Sequence, residues 1–181
     1  MTPQSFALFD TPIGTCGIAW NANGIAGMQL PAGDAAKTRA HVGRRWPSAA
    51  EAVPPPGVQR TIERVLSLLK GNKTDLTDIP LDLEDAPEFN RRVYDIARAI
   101  PPGQTLTYGD IARRLGVGPE MARDVGQAMG SNPVPIIVPC HRVLAASGKM
   151  GGFSAPGGVA TKRRMLEIEG APAVGAGPLF A

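Results

Sequence analysis

The chain has very few of the residues that build covalent or metal-based scaffolds. Only two of its 181 residues are cysteine and only two are histidine. Cys16 and Cys140 lie far apart in different sequence contexts, which excludes a disulfide framework and a four-cysteine zinc site. His41 and His141 belong to no sequence cluster with metal-ligand spacing. We therefore expect no metal and no other cofactor, and one cysteine is free for chemistry.

Long apolar runs are absent from the sequence as well. No stretch approaches the roughly 18 consecutive apolar residues that a membrane helix needs. The first residues, MTPQSFALFD, do not combine a basic stretch with an apolar core as a secretion signal does. We expect a cytoplasmic protein without a membrane partner, and its 43% hydrophobic content is enough for a globular core.

Positive charge is concentrated in the second half of the chain. Residues 1–88 contain 8 basic and 10 acidic side chains, whereas residues 89–181 contain 11 and 6, so the net charges are −2 and +5. A local positive field favours binding of a polyanion, because each neutralised phosphate releases condensed counterions. A basic half is a solvated surface at least as often as a nucleic-acid site, so charge alone does not assign a function.

The N-terminal region has the pattern of a small α+β unit. Its first thirty residues alternate short apolar runs with turn signals such as TPIG and NANG, which predicts an antiparallel meander. Asp34 can cap a helix that runs to about Arg45. Apolar residues recur at helical spacing from Val58 to Leu69, which predicts a second helix.

Short helices follow this unit. Asp85 and Glu88 have the spacing of a capping box ahead of one predicted helix, which the Pro-Pro-Gly sequence at 101–103 ends. Thr107 can cap the next helix, with Asp110 at its third position, and that helix ends before the sequence GVG.

A third short helix completes a helix-turn-helix candidate. It can open at Pro119 and run to about Met129. Arg123 and Gln127 lie four residues apart and away from its apolar stripe, so they face whatever the helix docks against. DNA is one interpretation of that partner, and a solvated polar face is the other, because helix pairs joined by a turn also occur in proteins that bind no DNA.

The segment GSNPVPIIVPCHRV contains the strongest chemical signal. An apolar strand predicted over 136–138 leads to Cys140, which is followed directly by His141 and Arg142. A thiol attacks as the thiolate, and a neighbouring cationic or basic group lowers its pKa or takes its proton. A structural cysteine remains the alternative, because cysteine is often a small buried residue.

The wider sequence resembles one known family closely. The run PCHRV at 139–143 is similar to the active-site motif of the methylated-DNA–protein-cysteine methyltransferases, the O6-alkylguanine-DNA alkyltransferases. Further motifs of that family match in the same order: Asn132-Pro133, the helix sequence ARDVG at 122–126, Tyr108 in TLTYGDIA, and LEIEG at 166–170. The match covers roughly residues 87–171, while the first 80 or so agree in general pattern only.

The resemblance implies both the fold and the activity. The fold class is α+β, with a small ribonuclease-H-like α/β domain over residues 1–83 and a mostly helical, winged-helix-like domain over residues 84–181. The implied function is DNA repair by a monomer. By this resemblance, the protein binds double-stranded DNA containing O6-alkylguanine and transfers the alkyl group, once and irreversibly, to its own cysteine.

The resemblance also assigns catalytic roles. Cys140 is the nucleophile, His141 acts through a water molecule as its base, and Glu169 orients the histidine. Tyr108 and Ser154 donate hydrogen bonds to the leaving guanine as negative charge develops on it. The sequence supports one role independently, because Glu169 lies on the apolar side of the last predicted helix and its carboxylate is therefore directed inward.

Contacts to DNA and substrate complete the implied site. Arg123 matches the arginine that fills the gap left by the flipped nucleotide. Asn132 braces the turn before the active-site segment, and Pro135 lines the alkyl pocket. The remaining expected contacts to DNA or substrate are Gln127, Arg142, the backbone of Val143, and Phe153.

Two positions depart from the family pattern. Phe153 stands where the family commonly has tyrosine, so it can stack but cannot donate a hydrogen bond. The loop at 154–158 is one residue longer than usual, which makes the alignment of Ser154 the least secure. Pocket size and substrate preference depend on both.

Two other functions compete with alkyl transfer. Alkyltransferase-like proteins sense alkylated DNA without transfer, but they replace the nucleophilic cysteine, and this chain has Cys140. A cysteine hydrolase would need an oxyanion site and would turn over repeatedly.

Overall fold

The N-terminal part of the protein is a sheet flanked by helices. The computed structural model describes residues 2–148 and 158–172. Its first three strands form an antiparallel meander, and a short fourth strand pairs parallel to the first, so the order is β3-β2-β1-β4. The strands are β1 (Ser5–Thr11), β2 (Gly14–Asn21), β3 (Gly24–Gln29) and β4 (Ala50–Glu51). The predicted meander is confirmed.

Two helices accompany this sheet where the sequence predicts them. Helix α1 (Ala35–Arg45) begins at the N-cap Asp34, whose carboxylate accepts a hydrogen bond from the Lys37 backbone N–H at 2.8 Å. Helix α2 (Pro56–Leu69) follows a proline-rich loop and has a proline in its first turn, where the missing N–H costs nothing.

The rest of the described chain is mainly helical, which confirms the predicted α+β class. The elements are α3 (Glu88–Arg98), β5 (Leu106–Thr107), α4 (Tyr108–Leu115), α5 (Ala122–Gly130), β6 (Val143–Leu144) and α6 (Gly158–Ile168). Strands β5 and β6 pair in parallel. Helix α4 begins with the predicted capping box of Thr107 and Asp110 and ends at Gly116, whose φ of 77° is left-handed.

Two helix starts differ from the sequence prediction. Helix α3 begins directly after Pro87, and no side chain caps it, so Asp85 and Glu88 do not form a capping box. A proline at the N-cap fixes an extended backbone just before the helix, which defines the start without a capping side chain. The sequence Pro119–Met121 forms a separate 3₁₀ turn, and α5 starts only at Ala122.

The predicted strand over 136–138 is wrong, because this segment is a turn. Pro133, Pro135 and Pro139 lack the N–H groups of a strand ladder, and Ile136 adopts a left-handed φ of 76°. A β-branched residue in that region is strained by roughly 1–2 kcal/mol, and here the side chain is buried at 1% exposure. Tight packing therefore holds the loop before the cysteine in an unfavourable conformation.

Two large hydrophobic clusters form most of the core of the described residues. The first is built on the sheet and α2, and it also takes in Val134, Ile136 and Ile137 from the loop before Cys140. The second lies between α3, α4 and α5 and reaches Val138 and Cys140. Side chains from both sides of residue 83 share the first core, and the boundary between residues 83 and 84 stays a prediction. No helix in the described ranges is long and apolar enough to cross a membrane.

Candidate active site

A cleft of about 1000 Å³ opens beside Cys140. It lies between α5 on one side and the end of β3 with α1 on the other. The sequence-predicted residues that line it together with Cys140 are Tyr108, Arg123, Gln127, Asn132 and Pro135. The structure therefore brings six of the expected site residues to one cavity, and the roles assigned to them stay predictions.

Cys140 lies at the inner end of this cleft, where the protein desolvates it. It opens a 3₁₀ turn, Cys140–Arg142, and only 6% of its surface is exposed. Burial raises the pKa of the thiol, and a hydrogen bond with the Asn132 side chain and the charge of Lys162 oppose that rise. The thiol is therefore protonated at neutral pH in the resting protein.

The turn before the cysteine is held by Asn132. Its side-chain N–H donates to the Val138 carbonyl at 2.8 Å, and its oxygen accepts from the Val134 backbone N–H at 2.9 Å. The Pro133 carbonyl between them accepts from the Met28 backbone N–H at 3.0 Å, at the edge of the N-terminal sheet. Both the amide of Asn132 and the sheet thus determine the path of the chain into Cys140.

Behind the cleft, three buried side chains form an ion-pair cluster, which we call the relay: His141, Arg142 and Glu169. The Glu169 carboxylate accepts from Nε2 of His141 at 2.8 Å. It also accepts from Nε and Nη2 of Arg142, both at 2.8 Å, in a bidentate pair. Arg142 uses Nη1 to donate to the Ile100 carbonyl at 2.6 Å. The carboxylate is directed inward, as the spacing on the last helix predicts.

The protonation states of the relay follow from burial and pairing. Burial raises the pKa of Glu169, but the charge that His141 carries when it is protonated in acid, together with the hydrogen bonds from Arg142 and His141, outweighs burial and lowers that pKa to about 2. Burial lowers the pKa of His141 below its usual value, against the influence of Glu169. Glu169 is therefore an ionised acceptor and His141 is neutral at pH 7, with its hydrogen on Nε2.

The second ring nitrogen of His141 has the properties of a base. Nδ1 is buried and has no hydrogen-bond partner among the residues that the structure describes. In a neutral imidazole whose Nε2 carries the hydrogen, Nδ1 is the nitrogen with the free lone pair. His141 follows Cys140 directly in the chain, so this nitrogen is a candidate general base for the thiol.

Two of the expected substrate contacts, Arg142 and Val143, are buried outside the cleft lining, and their roles toward the substrate stay predictions. Arg142 does not line the cleft. Its guanidinium is 5% exposed and is paired with Glu169, so it orients the carboxylate. Val143 is fully buried in β6, and its carbonyl accepts from Lys162 at 2.8 Å. The carboxylate that pairs with Arg142 lies 27 positions away in sequence.

Lys162 is a site residue that the sequence reasoning missed. It lies on α6, is 1% exposed, and lines the cleft with Cys140. Burial lowers its pKa to about 8, against the opposing effect of the nearby cysteine. A signal was present, because Lys162 precedes Met165, Leu166 and Glu169 at helical spacing and so shares their inward face.

Two tyrosines contact helix α5, which forms one wall of the cleft. Tyr108 is the first residue of α4, its ring packs beside Gly126 of α5, and burial raises the pKa of its hydroxyl. Tyr94, which the sequence reasoning did not single out, is fully buried and donates its hydroxyl to the Ala128 carbonyl at 2.8 Å. It thereby fixes the end of α5 that leads to Asn132.

Arg123 and Gln127 are exposed on α5, as the helical spacing predicts, while Val125, Ala128 and Met129 are buried. Phe153 and Ser154 lie outside the described residues. The fold and the site together define a class of protein: a helix-turn-helix protein that carries a candidate cysteine nucleophile at the end of a cleft.

Comparisons with known proteins identify the family within that class. The model of the 6-O-methylguanine DNA methyltransferase DNA-binding domain matches residues 88–171. The methylated-DNA–protein-cysteine methyltransferase of Methanothermobacter thermautotrophicus is 32% identical over 159 residues, 88% of this chain and 81% of that protein. The chain therefore belongs to the methylated-DNA–protein-cysteine methyltransferase family, and the resemblance seen in the motifs is confirmed.

Solved structures agree over almost the whole chain. The O6-methylguanine methyltransferase of Mycobacterium tuberculosis has a TM-score of 0.73 at 33% identity, covering 92% of each chain. A structure of OGT from the same organism in complex with DNA also has a TM-score of 0.73, at 34% identity, covering 93% of this chain and 96% of that one.

Proposed function

We propose that this protein repairs double-stranded DNA by transferring the alkyl group of an O6-alkylguanine to Cys140, once per molecule. The observation that carries the proposal is the position of Cys140, which lines the cleft and is followed directly in the chain by His141 of the buried relay. Membership of the methyltransferase family supports the same reaction. The protein acts as a monomer in the cytoplasm, where the DNA is its partner.

Proton transfer is the first step. The Cys140 thiol is protonated because burial raises its pKa, so attack requires a base. Nδ1 of His141 accepts the proton through a bridging water, and the Sγ atom becomes a thiolate. Glu169 stabilises the imidazolium that results, because its low pKa keeps it ionised. Lys162 adds positive charge beside the thiolate.

Alkyl transfer follows as an in-line displacement. The S–C bond forms while the bond between the alkyl carbon and O6 breaks, and the guanine leaves with the bonding electrons. Tyr108, on the cleft wall, donates a hydrogen bond to the guanine as that charge develops. The product is a thioether, a stable bond that the neighbouring side chains do not return to a thiol, so each molecule reacts once.

The target base must leave the duplex before it can reach Cys140, at a cost of a few kcal/mol. Arg123 is exposed on α5 at the cleft and fills the space that the flipped nucleotide leaves. Asn132 and Pro135 shape the pocket that receives the base. Helix α5 is therefore the DNA-recognition helix.

The stoichiometry of the reaction tests the proposal. After incubation with excess duplex containing O6-methylguanine, the intact protein should gain one methyl mass, located on the Cys140 peptide. Cys16 provides an internal control, because burial raises the pKa of its thiol to about 12 and it should stay unmodified. A Cys140→Ser variant should gain no mass.

Two outcomes would contradict the proposal. Many repaired bases per protein molecule would indicate a turnover enzyme rather than a single transfer. Tight binding of the methylated duplex without any gain of mass would indicate a damage sensor.

A further inference from the structure

The cleft beside Cys140 is not formed by the helical part alone. Its wall opposite α5 consists of residues from the N-terminal half, including Gln29, Leu30, His41 and Arg45. The charged side chains that line the cleft are all cationic. A cleft of about 1000 Å³ is at the upper end of the roughly 300–1000 Å³ of small-molecule pockets, so it exceeds what one base requires.

Helix α1, which supplies part of this wall, has an unusual charge distribution. Its first turn contains no acidic residue but has the exposed Lys37, and its last turn has Arg44 and Arg45. Cations in the last turn complement the helix dipole, whereas a lysine in the first turn opposes it. Lys37 is therefore a solvent-exposed charge that contributes no stability to the helix through its dipole.

The basic residues of α1 fall on two different flanks. At 3.6 residues per turn, Lys37, His41, Arg44 and Arg45 lie within an arc of roughly 100°, on the flank that includes the cleft-lining residues. Arg39 lies roughly 160° from Lys37 around the helix. It pairs with Glu51, with 2.5 Å between Nη1 and Oε1, so its charge is compensated.

Arg45 joins this flank to the active-site loop. Its guanidinium donates to the Met28 carbonyl and to the Pro133 carbonyl, each at 2.6 Å, and lies 4.9 Å from the centroid of the Trp46 ring. These two acceptors are neutral carbonyls, so the bonds position α1 without removing the charge. The end of α1 is therefore held at a fixed distance from the turn that precedes Cys140.

We propose that the basic flank of α1, formed by Lys37, His41, Arg44 and Arg45, binds the phosphate backbone of the duplex beside the flipped nucleotide. In this arrangement the DNA contacts both walls of the cleft. Helix α5 contacts it on one side, and α1 binds backbone phosphates on the other. This inference rests on the proposed function, and it extends the DNA-binding surface into the N-terminal half of the protein.

Salt dependence of binding tests the proposal. The slope of log K for DNA binding against log salt concentration changes by roughly 0.9 for each phosphate that the protein no longer neutralises. Relative to the affinity at 1 M salt, this corresponds to a roughly eightfold change in affinity per phosphate at 0.1 M salt. For the double variant Lys37→Gln/Arg44→Gln and an unmodified duplex, we expect a slope smaller by about 1.8 and roughly 10- to 60-fold weaker binding at 0.1 M salt. Fluorescence anisotropy titrations at several salt concentrations measure both.

Matched variants make the result specific. Arg39→Gln removes the same charge from the opposite flank of the same helix and should leave the slope nearly unchanged. The rate of Cys140 alkylation by free O6-benzylguanine should be the same in the double variant and the parent, because a free base needs no phosphate contact. Lys37 and Arg44 are exposed, so each single variant offers the same test, with a slope change of roughly 0.9.

The outcomes separate this inference from the proposed function. An unchanged slope in the Lys37/Arg44 variants, alongside weaker binding by Arg123→Gln, overturns the α1 surface and leaves DNA repair intact. Equal losses of affinity in Arg39→Gln and in the double variant also overturn it, since the effect would then be one of overall charge. If the parent showed no salt-dependent binding to duplex, the proposed function itself would be wrong.

Discussion

The two sides of Cys140 differ in exposure and in the way that their charges are paired. On the cleft side, Arg123 and Gln127 are exposed, and Tyr108 and Asn132 are half-buried. In the relay on the other side, His141, Arg142 and Glu169 are at most 5% exposed, and every oxygen of the carboxylate has a partner. Recognition of a large, hydrated polymer needs accessible groups, whereas control of protonation needs desolvated groups whose charges are paired.

This difference predicts separable effects. A change in the relay should alter the reaction with any substrate, because the relay sets the protonation of the thiol and its base. A change on the cleft side should act mainly on duplex DNA. Free O6-benzylguanine, which needs no base flipping, distinguishes the two kinds of change.

The largest effect is expected from Glu169→Gln. The amide cannot stabilise an imidazolium as a carboxylate does, so Cys140 alkylation should slow by roughly 100-fold or more on both substrates, within the range of general acid–base catalysis. Rates measured from pH 6 to 9 should show a raised apparent thiol pKa. Glu167→Gln, an exposed neighbour, is the control. Parent-like rates across neutral pH would remove Glu169 from the mechanism.

Acid stability provides a second measurement on the same variant. The pKa of Glu169 is lowered from 4.5 to about 2 in the folded protein, so its stabilising contribution is complete above about pH 4.5 and is lost as the pH falls to about 2. Denaturant unfolding should show a loss on the order of 3 kcal/mol over this range in the parent. Glu169→Gln should lack that part of the pH dependence.

Arg123→Ala is expected to have the next largest effect, and only on duplex DNA. Without the side chain that fills the vacated stack, the flipped state loses ~1–3 kcal/mol, or roughly 5- to 150-fold in population. The measurement is the parent-to-variant rate ratio on methylated duplex divided by the same ratio on free O6-benzylguanine. A quotient near one would show that Arg123 does not act in base flipping.

Local sequence signals predicted much of the fold. Thr107 with Asp110 and the left-handed Gly116 mark the two ends of α4 within ten positions, so their meaning does not depend on distant residues. The apolar run at 136–138 led to the wrong prediction of a strand, because a buried strand and a buried turn have the same apolar composition. The prolines that flank it, at 133, 135 and 139, carried the correct information, since they lack the donors that a strand ladder needs.

The candidate site was predictable from the sequence where its residues are adjacent in the chain. It was less predictable where folding brings distant residues together. The adjacent Cys140 and His141 identified the reactive group, but the partner of Arg142 could not be chosen from neighbouring residues. Lys162 went unnoticed because a lysine in a helix is usually exposed, and only the packing of α6 buries it. Long-range pairing of charged groups is what sequence reasoning lacked.

A smaller effect is expected from Lys162→Met, which keeps the side-chain volume but removes the charge beside Cys140. The thiol pKa should rise further, because the charge of Lys162 opposes the effect of burial, and alkylation at pH 7 should slow by roughly tenfold. Because the pKa of Lys162 is about 8, its charge is present below that pH and lost above it. The parent-to-variant ratio should therefore fall towards one as the pH rises through about 8. Arg163→Met, an exposed neighbour, should leave the ratio at one at every pH.

The smallest effect should come from Lys73→Ala, which tests whether the N-terminal half also supports the relay. Lys73 reaches across to the backbone carbonyl of Glu169, one of the unpaired carbonyls at the end of α6, and to that of Pro102 at 3.4 Å. Gly103, with a φ of 89°, leaves space for it, because a Cβ there would lie 2.5 Å from the Lys73 ammonium nitrogen.

A cation at a helix C-terminus contributes about 0.3–1 kcal/mol. Lys73→Ala should therefore slow alkylation by roughly two- to fivefold, and equally on duplex and on free base, because it displaces Glu169 rather than a DNA contact. Lys73→Arg should restore the rate, and Lys70→Ala, which removes an exposed charge from the same region, should have no effect. A slower rate confined to duplex DNA would place Lys73 on the DNA-binding surface instead, and the relay would then be independent of the N-terminal half at this point.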